Sequence, residues 1–453
     1  MRKSKKIIAL LLGTSMIATC FSGCGKKSND SKESDDAKRI VDVDITDLNE
    51  FIQACNIEVP QATDNNADAE KIKLKVWCPS EEQKITEQLC ELYDDTDPEF
   101  DIEFEYGVVS EADAKQQLTA DLSVGADVFM FAGDQLSEMV EGGYMAKINE
   151  TLAEEIKDTQ IEQAYEACKI DGDLYAVPFT ANLWYMFYNK EMYTEDEVQS
   201  LDTMFEKDLG SGVYNFSIDI ANGWYLAGFF YAGGCTLYGP DGTDPTSCDW
   251  AEDKGIAVVD YLNEKVATGK LYKDESYDSI PMLQEGKVAA YCTGSWNALA
   301  IKEALGDKYA ATCAPQITVN GTTEYIKPFA DFKMIGVKAT TEYPKAAQKL
   351  AQFLGGDYAQ AVRLQSREVQ PTVKALVENV PSNVDYQKSY PAVYASLEQM
   401  KHTVNRPSVS QISKYWTPAG GLGSYIYNKK DEVLNADRQK FVAEKIVAKI
   451  VGE

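Results

Sequence analysis

The apolar positions of this chain follow two rhythms that alternate along most of its length. From Lys71 to Trp77 polar and apolar residues alternate, with Ile72, Leu74 and Val76 on one side, the period of a half-buried strand. After Pro79 the period lengthens. Ile85, Leu89, Leu92 and Tyr93 form one stripe of a helix, and Ser80 with Gln83 has the spacing of a capping box. Asp97-Pro98 ends that helix. Ile102, Phe104 and Tyr106 mark a second strand, and Ser110 with Asp113 opens a second helix with Ala114, Leu118 and Leu122 inward. Asp127 to Phe131 is a continuous apolar run, as expected of a strand covered on both faces. Strand, helix, strand, helix, strand predicts an open, mostly parallel sheet. Ligands of such sheets bind beyond the carboxyl ends of the strands. That places Cys78 to Glu82 and Ala132 to Asp134 on the candidate binding edge.

The mixed pattern continues. Extended segments are expected at Leu174–Phe179, Met186–Tyr188, Lys287–Cys292 and Met334–Val337. Helices are expected at Trp250–Val266, at Pro344–Leu354, and from Asp431 to the end, with Phe441, Ile446 and Ile450 on one side. Gly294-Ser295 should open the helix that carries Trp296. Gly420, Gly421 and Gly423 lack the preceding strand of a nucleotide loop and read as a turn or helix entry.

The first residues depart from this pattern. Arg2, Lys3, Lys5 and Lys6 precede an apolar run, Ile7 to Ala18, too short to cross a bilayer. Small residues and Cys24 follow, the build of an export signal. Phe21-Ser22-Gly23-Cys24 resembles the bacterial lipoprotein box, which implies removal of residues 1–23 and lipid modification of Cys24. Gly25 to Lys38 has one apolar residue, Ala37, and reads as a flexible tether. Ile40 to Pro60 reads as a small strand–helix appendage or a less polar linker: Val41, Val43 and Ile45 alternate, and Leu48, Phe51 and Ile52 have helical spacing. Residues 24–70 are therefore expected to be anchor and linker, with a possible small appendage.

Composition narrows the function. A chain of 453 residues, 44% hydrophobic, has material for two or more domains. A net charge of −28 argues against a nucleic-acid partner, which would want a basic face. Tyrosine and tryptophan are abundant, 26 and 6 residues, which suits core packing or carbohydrate binding. Beyond Cys20 and Cys24, the cysteines are scattered without a C-x-x-C pair, so metal-site spacing is absent. An oxidising compartment permits disulfides, and Cys235–Cys248 would close a plausible loop; buried thiols fit equally. His402 is the single histidine, which argues against His-ligated metal and Ser-His-Asp chemistry. No G-x-S-x-G, H-E-x-x-H or P-loop pattern occurs, and no cofactor is indicated.

Several segments, in their order, resemble a known family: Lys73–Trp77; Gly125–Asp134 followed by Gly143–Ile148; Asp171–Pro178 followed by Met186–Lys190; Leu283–Trp296; Lys327–Val337; and Pro344–Leu354. From about residue 71 onward the chain resembles extracellular solute-binding proteins of carbohydrate ABC transporters, of the maltose/maltodextrin-binding type. The resemblance implies an α/β, two-lobe periplasmic-binding-protein-like fold (type II), with a ligand cleft between lobes joined by crossover strands. Residues 71–181 plus 331–380 would form one lobe, and 182–330 plus 381–453 the other. It implies a monomeric, lipid-anchored receptor, not an enzyme, that reversibly binds a neutral oligosaccharide, foremost a maltodextrin of maltotriose length or longer. The receptor would pass its sugar to the permease subunits of an ABC transporter.

A pyranose has an apolar face and a rim of hydroxyls, so it wants flat aromatic platforms beside carboxylates and amides. Trp296 and Trp416 sit where the resemblance places stacking aromatics, and Trp224 and Tyr225 fall near another. Phe131 stands where such proteins often carry Trp, which removes an indole donor and some stacking area. Trp184 lies at the lobe crossover. Asp134 and Glu81 are the candidate hydroxyl acceptors, each also suited to a helix N-terminus. Asn182 stands where a relative has Glu, and Asp331 lies close to the crossover. Glu82 replaces a Lys, so that contact is not carried over. The rival readings are a glycoside hydrolase, which needs a carboxyl pair, a receptor for another neutral oligosaccharide, and a surface adhesin built of repeated β modules.

Overall fold

The computed structural model describes residues 42–63, 69–378, 385–407, 409–428 and 436–452. The export signal, Cys24 and the tether lie outside the described residues. The strands that position the site are β1 (Glu70–Cys78), β2 (Phe100–Val108), β3 (Val128–Ala132), β4 (Ala176–Ala181), β5 (Trp184–Asn189), β6 (Phe216–Ile218), β7 (Leu271–Lys273), β8 (Ala290–Gly294), β9 (Tyr309–Thr312) and β10 (Phe332–Val337). They build two five-stranded sheets, ordered β2-β1-β3-β10-β4 and β9-β5-β8-β6-β7. Each sheet carries helices and anchors one lobe.

The alternation in β1 does what its period requires. Ile72, Leu74 and Val76 are buried and lie in parallel register with Ile102, Phe104 and Tyr106 of β2. β3 is buried along nearly its whole length. The sheet is mixed rather than mostly parallel, because β10 runs antiparallel to both β3 and β4. The reason is topological. The chain returns to the first sheet through a crossover at the edge where β1 and β3 end, so β10 must start there and run the other way. The second sheet repeats this: β6, β7 and β8 are parallel, and β5 is antiparallel to β8 and β9.

Helix Gln83–Thr96 buries Ile85, Leu89, Cys90 and Tyr93. Its entry differs from the expected capping box. A 3-10 turn, Ser80–Glu82, precedes it without a side-chain cap, and the Ser80 hydroxyl donates to Glu81 Oε2 at 3.3 Å. Residues 45–54 also differ from expectation: they form a 3-10 turn, Ile45–Leu48, and a helix, Asn49–Ala54, with no strand. This appendage docks on the first lobe. Gln88 Oε1 accepts from the Ile45 amide at 2.9 Å and its amide donates to the Val43 carbonyl at 2.6 Å. Lys84 pairs with Asp42 at 2.7 Å, the Tyr358 hydroxyl donates to Asn49, and Ile52 is fully buried.

The Gly420–Gly423 cluster is neither turn nor helix entry. It lies inside helix Ile412–Asn428, where the missing side chains admit the backbone of residues 220–221. A Cβ on Gly423 would stand 1.6 Å from the Ile220 carbonyl oxygen, and one on Gly420 2.5 Å from that of Ala221. Helix propensity alone would make Gly→Ala stabilising. Here Gly423→Ala is expected to lower stability by about 1–3 kcal/mol through overpacking, read as a fall in thermal midpoint; an unchanged or raised midpoint would refute the contact. The last helix is Ala436–Ile450. Ile450 is buried in the second lobe with Ile446 against it, while the Phe441 side chain lies outside the described residues. All eight described cysteines are free thiols. Burial pushes the Cys235 and Cys248 thiols each up to about 12.

Candidate functional site

The carboxyl ends of β1, β2 and β3 and the amino end of β10 share one edge of the first sheet. The carboxyl ends of β6, β7 and β8 share one edge of the second. Only Asn182 and Leu183 separate β4 from β5, and Trp184 at the start of β5 pairs with Gly294 at the end of β8. The chain therefore joins the two edges directly, and the edges form the two sides of one cleft. Two more crossovers run beside the first. Phe329–Ala330 pairs in parallel with Val404–Asn405, and the Asn182 amide donates to the Asp331 carbonyl at 2.7 Å.

On the first edge, the turn Gly133–Gln135 follows β3 and carries Asp134, half-buried. Burial, reinforced by the charge of Asp331, pushes the Asp134 carboxyl up to about 6, against the pull of Arg406 and Lys115. Asp331 is also raised, by burial, and is opposed by Arg406. Its Oδ2 accepts from the Asn182 side-chain amide at 3.5 Å. Glu81 is nearly buried, with Arg367 Nη2 3.9 Å from its Oε1. Neighbouring Glu82 is fully buried between Arg363 and Arg367, a structural ion network. Glu111 and Lys333 complete this edge, with Lys333 Nζ donating to Glu111 Oε1 at 2.8 Å.

The second edge supplies the aromatics. Trp296 sits in the turn Ser295–Asn297 beyond β8 and is half-buried. The Lys333 ammonium of the opposite edge lies 5.4 Å from its ring centroid. Trp224, in the first turn of helix Gly223–Ala232, and Trp416, on helix Ile412–Asn428, are also half-buried. Their ring centroids are 6.3 Å apart at an interplanar angle of 46°, and Phe329 packs against both. The indole N–H groups of Trp224 and Trp296 are shielded from solvent and make no hydrogen bond among the described residues. Tyr225 is buried beside Trp184, ring centroids 5.5 Å apart.

Two of the predicted aromatics offer no surface to a ligand here. Trp184 is fully buried and donates through Nε1 to the Trp224 carbonyl at 3.1 Å; it supports Trp224 from beneath. Phe131 is fully buried against Phe129, because β3 is covered on both faces. The remaining predicted residues stand along the two edges and the hinge.

Sequence reasoning missed Glu111, Asp219, Asp274, Lys333 and Arg406. Asp219 and Asp274 directly follow β6 and β7, so the rule of carboxyl ends could have found them once those short strands were known. Asp274 is consumed internally, accepting from the Ser279 amide, the Tyr277 amide and the Tyr291 hydroxyl. The Asp219 carboxylate accepts from the Ala221 amide at 3.1 Å, and burial pushes it up to about 6. Raised carboxyls favour the folded state when protonated, so this contribution is present below the unfolded value and lost as pH rises through the folded one. The cleft thus holds acceptors at a cost in stability near neutral pH.

A separate cavity of about 440 Å³ lies at the opposite end of the first sheet, lined by Lys73, Lys75, Glu105, Asp127 and Lys338 among others. Its lysines pair with its carboxylates, and the tryptophans lie elsewhere. It is not where platforms and acceptors converge.

A family profile described as "Bacterial extracellular solute-binding protein" matches residues 91–393. The chain belongs to the bacterial extracellular solute-binding proteins. It is 25% identical over 333 residues to the galactooligosaccharide-binding protein of Bacillus subtilis, covering 69% of this chain and 75% of that one. It is 24% identical over 313 residues to a maltooligosaccharide ABC transporter solute-binding lipoprotein of Streptococcus pneumoniae, covering 65% and 70%. Among solved structures, one determined with acarbose is 33% identical with a TM-score of 0.76, covering 84% of this chain and 98% of that one. A maltodextrin-binding protein from L. casei without ligand shares the fold, with a TM-score of 0.73 at 22% identity over 84% of this chain and all of that one (100%). The two-lobe architecture and the role of a solute-binding protein follow from these likenesses, which support a binding protein rather than a hydrolase.

Proposed function

We propose that this solute-binding protein captures a neutral α-1,4-linked gluco-oligosaccharide, maltotriose or longer, in its interlobe cleft and hands it to the permease of an ABC transporter. What supports this reading most is that three half-buried tryptophans, Trp224, Trp296 and Trp416, follow strands or helices of the second edge, while Glu81 and Asp134 stand on the first edge and Asn182 and Asp331 at the crossovers. Flat platforms opposite hydrogen-bonding groups suit a pyranose. The names of the relatives support the same class, since they bind maltooligosaccharides or galactooligosaccharides. Closure of the lobes around the sugar would be a hinge motion about the three crossovers. We further propose that Cys24 carries the lipid anchor and holds the receptor at the outer face of the membrane. Because residues from Asp42 onward dock on the first lobe, the leash would end at Asp42 rather than at Glu70.

Titration calorimetry with maltotriose, galactotriose, cellotriose and xylotriose tests the specificity. Saturable binding of maltotriose ahead of the other three is expected. No heat with maltotriose, but clear binding of another sugar, would overturn the maltodextrin assignment.

A further inference from the structure

We propose that Arg406 is a positioning residue at the hinge side of the cleft: it holds Asp134 and Asp331 as charged acceptors for ligand hydroxyls and fixes the turn that bears Asp134. The inference rests on the oligosaccharide reading above. Arg406 directly follows the crossover Val404–Asn405, and Asp331 directly follows its partner Phe329–Ala330, so the two side chains leave adjacent paired segments. Arg406 Nε stands 3.6 Å from Asp331 Oδ1. Its Nη2 donates across to the Gly133 carbonyl at 3.2 Å, and its Nη1 to the Pro407 carbonyl at 3.2 Å. One guanidinium thereby ties a crossover to the first lobe at the residue before Asp134.

The contact is close. A Cβ at Gly133 would stand 2.6 Å from Asp331 Oδ1, so the Asp134 turn and the Asp331 carboxylate touch. Arg406 Nε is shielded from solvent and faces the Asp331 carboxylate, so the guanidinium is committed to this pair. Two other cations of this lobe are already engaged. Lys115, on helix Ala114–Ala120, pairs with Glu138 at 2.5 Å. Lys333, on β10, is bound by Glu111. A neutral sugar brings no cation, and two neighbouring carboxylates in a partly dry site cannot both stay ionised without one. An arginine cannot lose its proton in answer to burial, which suits it to the task.

A hydroxyl donates best to an ionised carboxylate. Burial and the neighbouring Asp331 push the Asp134 carboxyl up, to about 6, so affinity is expected above that pH and should fall as pH drops through it. The test is calorimetry with maltotetraose on the intact protein from about pH 5 to about pH 8, with Arg406→Lys, Arg406→Met and the double variant Arg406→Met/Asp331→Asn. Arg406→Met should weaken binding at neutral pH by about tenfold and move the inflection to higher pH. Arg406→Lys should keep an inflection near that of the parent. Asp331→Asn in the Met background should bring the inflection back down, by removing the competing charge. If Arg406→Met fails to fold, the Lys and double variants decide by the same inflections. Unchanged affinity and inflection in Arg406→Met, with the parent binding, would overturn this inference alone. Equal weakening in the Lys and Met variants with no shift of inflection would also overturn it, as a merely structural role. A parent protein that binds no oligosaccharide would overturn both this inference and the reading it rests on.

Discussion

Glu82→Ala is expected to cost about 3–5 kcal/mol of stability, the usual penalty for removing one partner of a buried ion pair. Glu82 and Arg363 are both fully buried. Glu82 Oε2 accepts from Arg363 Nε at 2.8 Å, and its Oε1 accepts from Arg367 Nη1. Arg363 also donates to the Leu354 carbonyl at 2.6 Å and lies over the Phe179 ring. The network therefore ties the entry of helix Gln83–Thr96 to helix Asp357–Arg367. Without the carboxylate, two guanidinium groups lose their buried counter-charge, and Glu81 at 3.9 Å from Arg367 is a distant substitute. Glu82→Gln should recover part of the loss, since it keeps shape and one acceptor. Urea unfolding of the three proteins measures the difference, and equal midpoints would show the network to be dispensable.

The same carboxylate has a sign in pH. Burial alone would raise its pKa, but Arg363 and Arg367 overcome that and hold it below the ordinary value of 4.5. Its contribution is therefore complete above the unfolded value and lost as pH falls through the lower folded one. Acid unfolding should begin later in the parent than in Glu82→Gln.

How much of this was legible in the chain depends on sequence distance. The alternating period of Lys71–Trp77 and the apolar run through Phe131 marked β1 and β3, and the rule of carboxyl ends then placed Glu81 and Asp134 on the cleft. That same apolar run implied a strand covered on both faces, which is why Phe131 is buried and presents nothing to a ligand. Asp219 was not legible because β6 has only 3 residues, too few for a period to show. The partners of Glu82 and Asp331 come from remote segments, and periodicity carries no information about which charged residues meet. Spacing suggested a strand at residues 41–45, but the docked turn there is set by Gln88, whose side chain satisfies the Ile45 amide and Val43 carbonyl. Tertiary hydrogen bonds overrode the local pattern.

Trp296→Ala and Trp416→Ala are each expected to weaken oligosaccharide binding by about 1–3 kcal/mol, taking as a scale the loss of one aromatic stacking platform. The two residues occupy different supports, so their controls differ. Trp296 stands at the end of β8, where Gly294 leaves room for it: a Cβ there would collide with the Trp296 ring at 2.0 Å. The Lys333 ammonium of the opposite edge lies beside its ring. Truncation removes the platform while leaving the second sheet paired, so affinity should fall with little change in thermal midpoint. Trp416 packs edge-on to Phe329, with Tyr415 5.1 Å away between centroids, so its truncation should also loosen that cluster and lower the midpoint. Trp416→Phe preserves an aromatic face there and should recover most of the stability and part of the affinity. If the two platforms hold separate sugar units, the losses should add in the double variant; a shared unit would make the second loss smaller. Affinity by calorimetry and midpoint by circular dichroism separate the roles. Unchanged affinity in both single variants would place the two indoles outside the ligand's reach and return the aromatic side of the cleft to core packing.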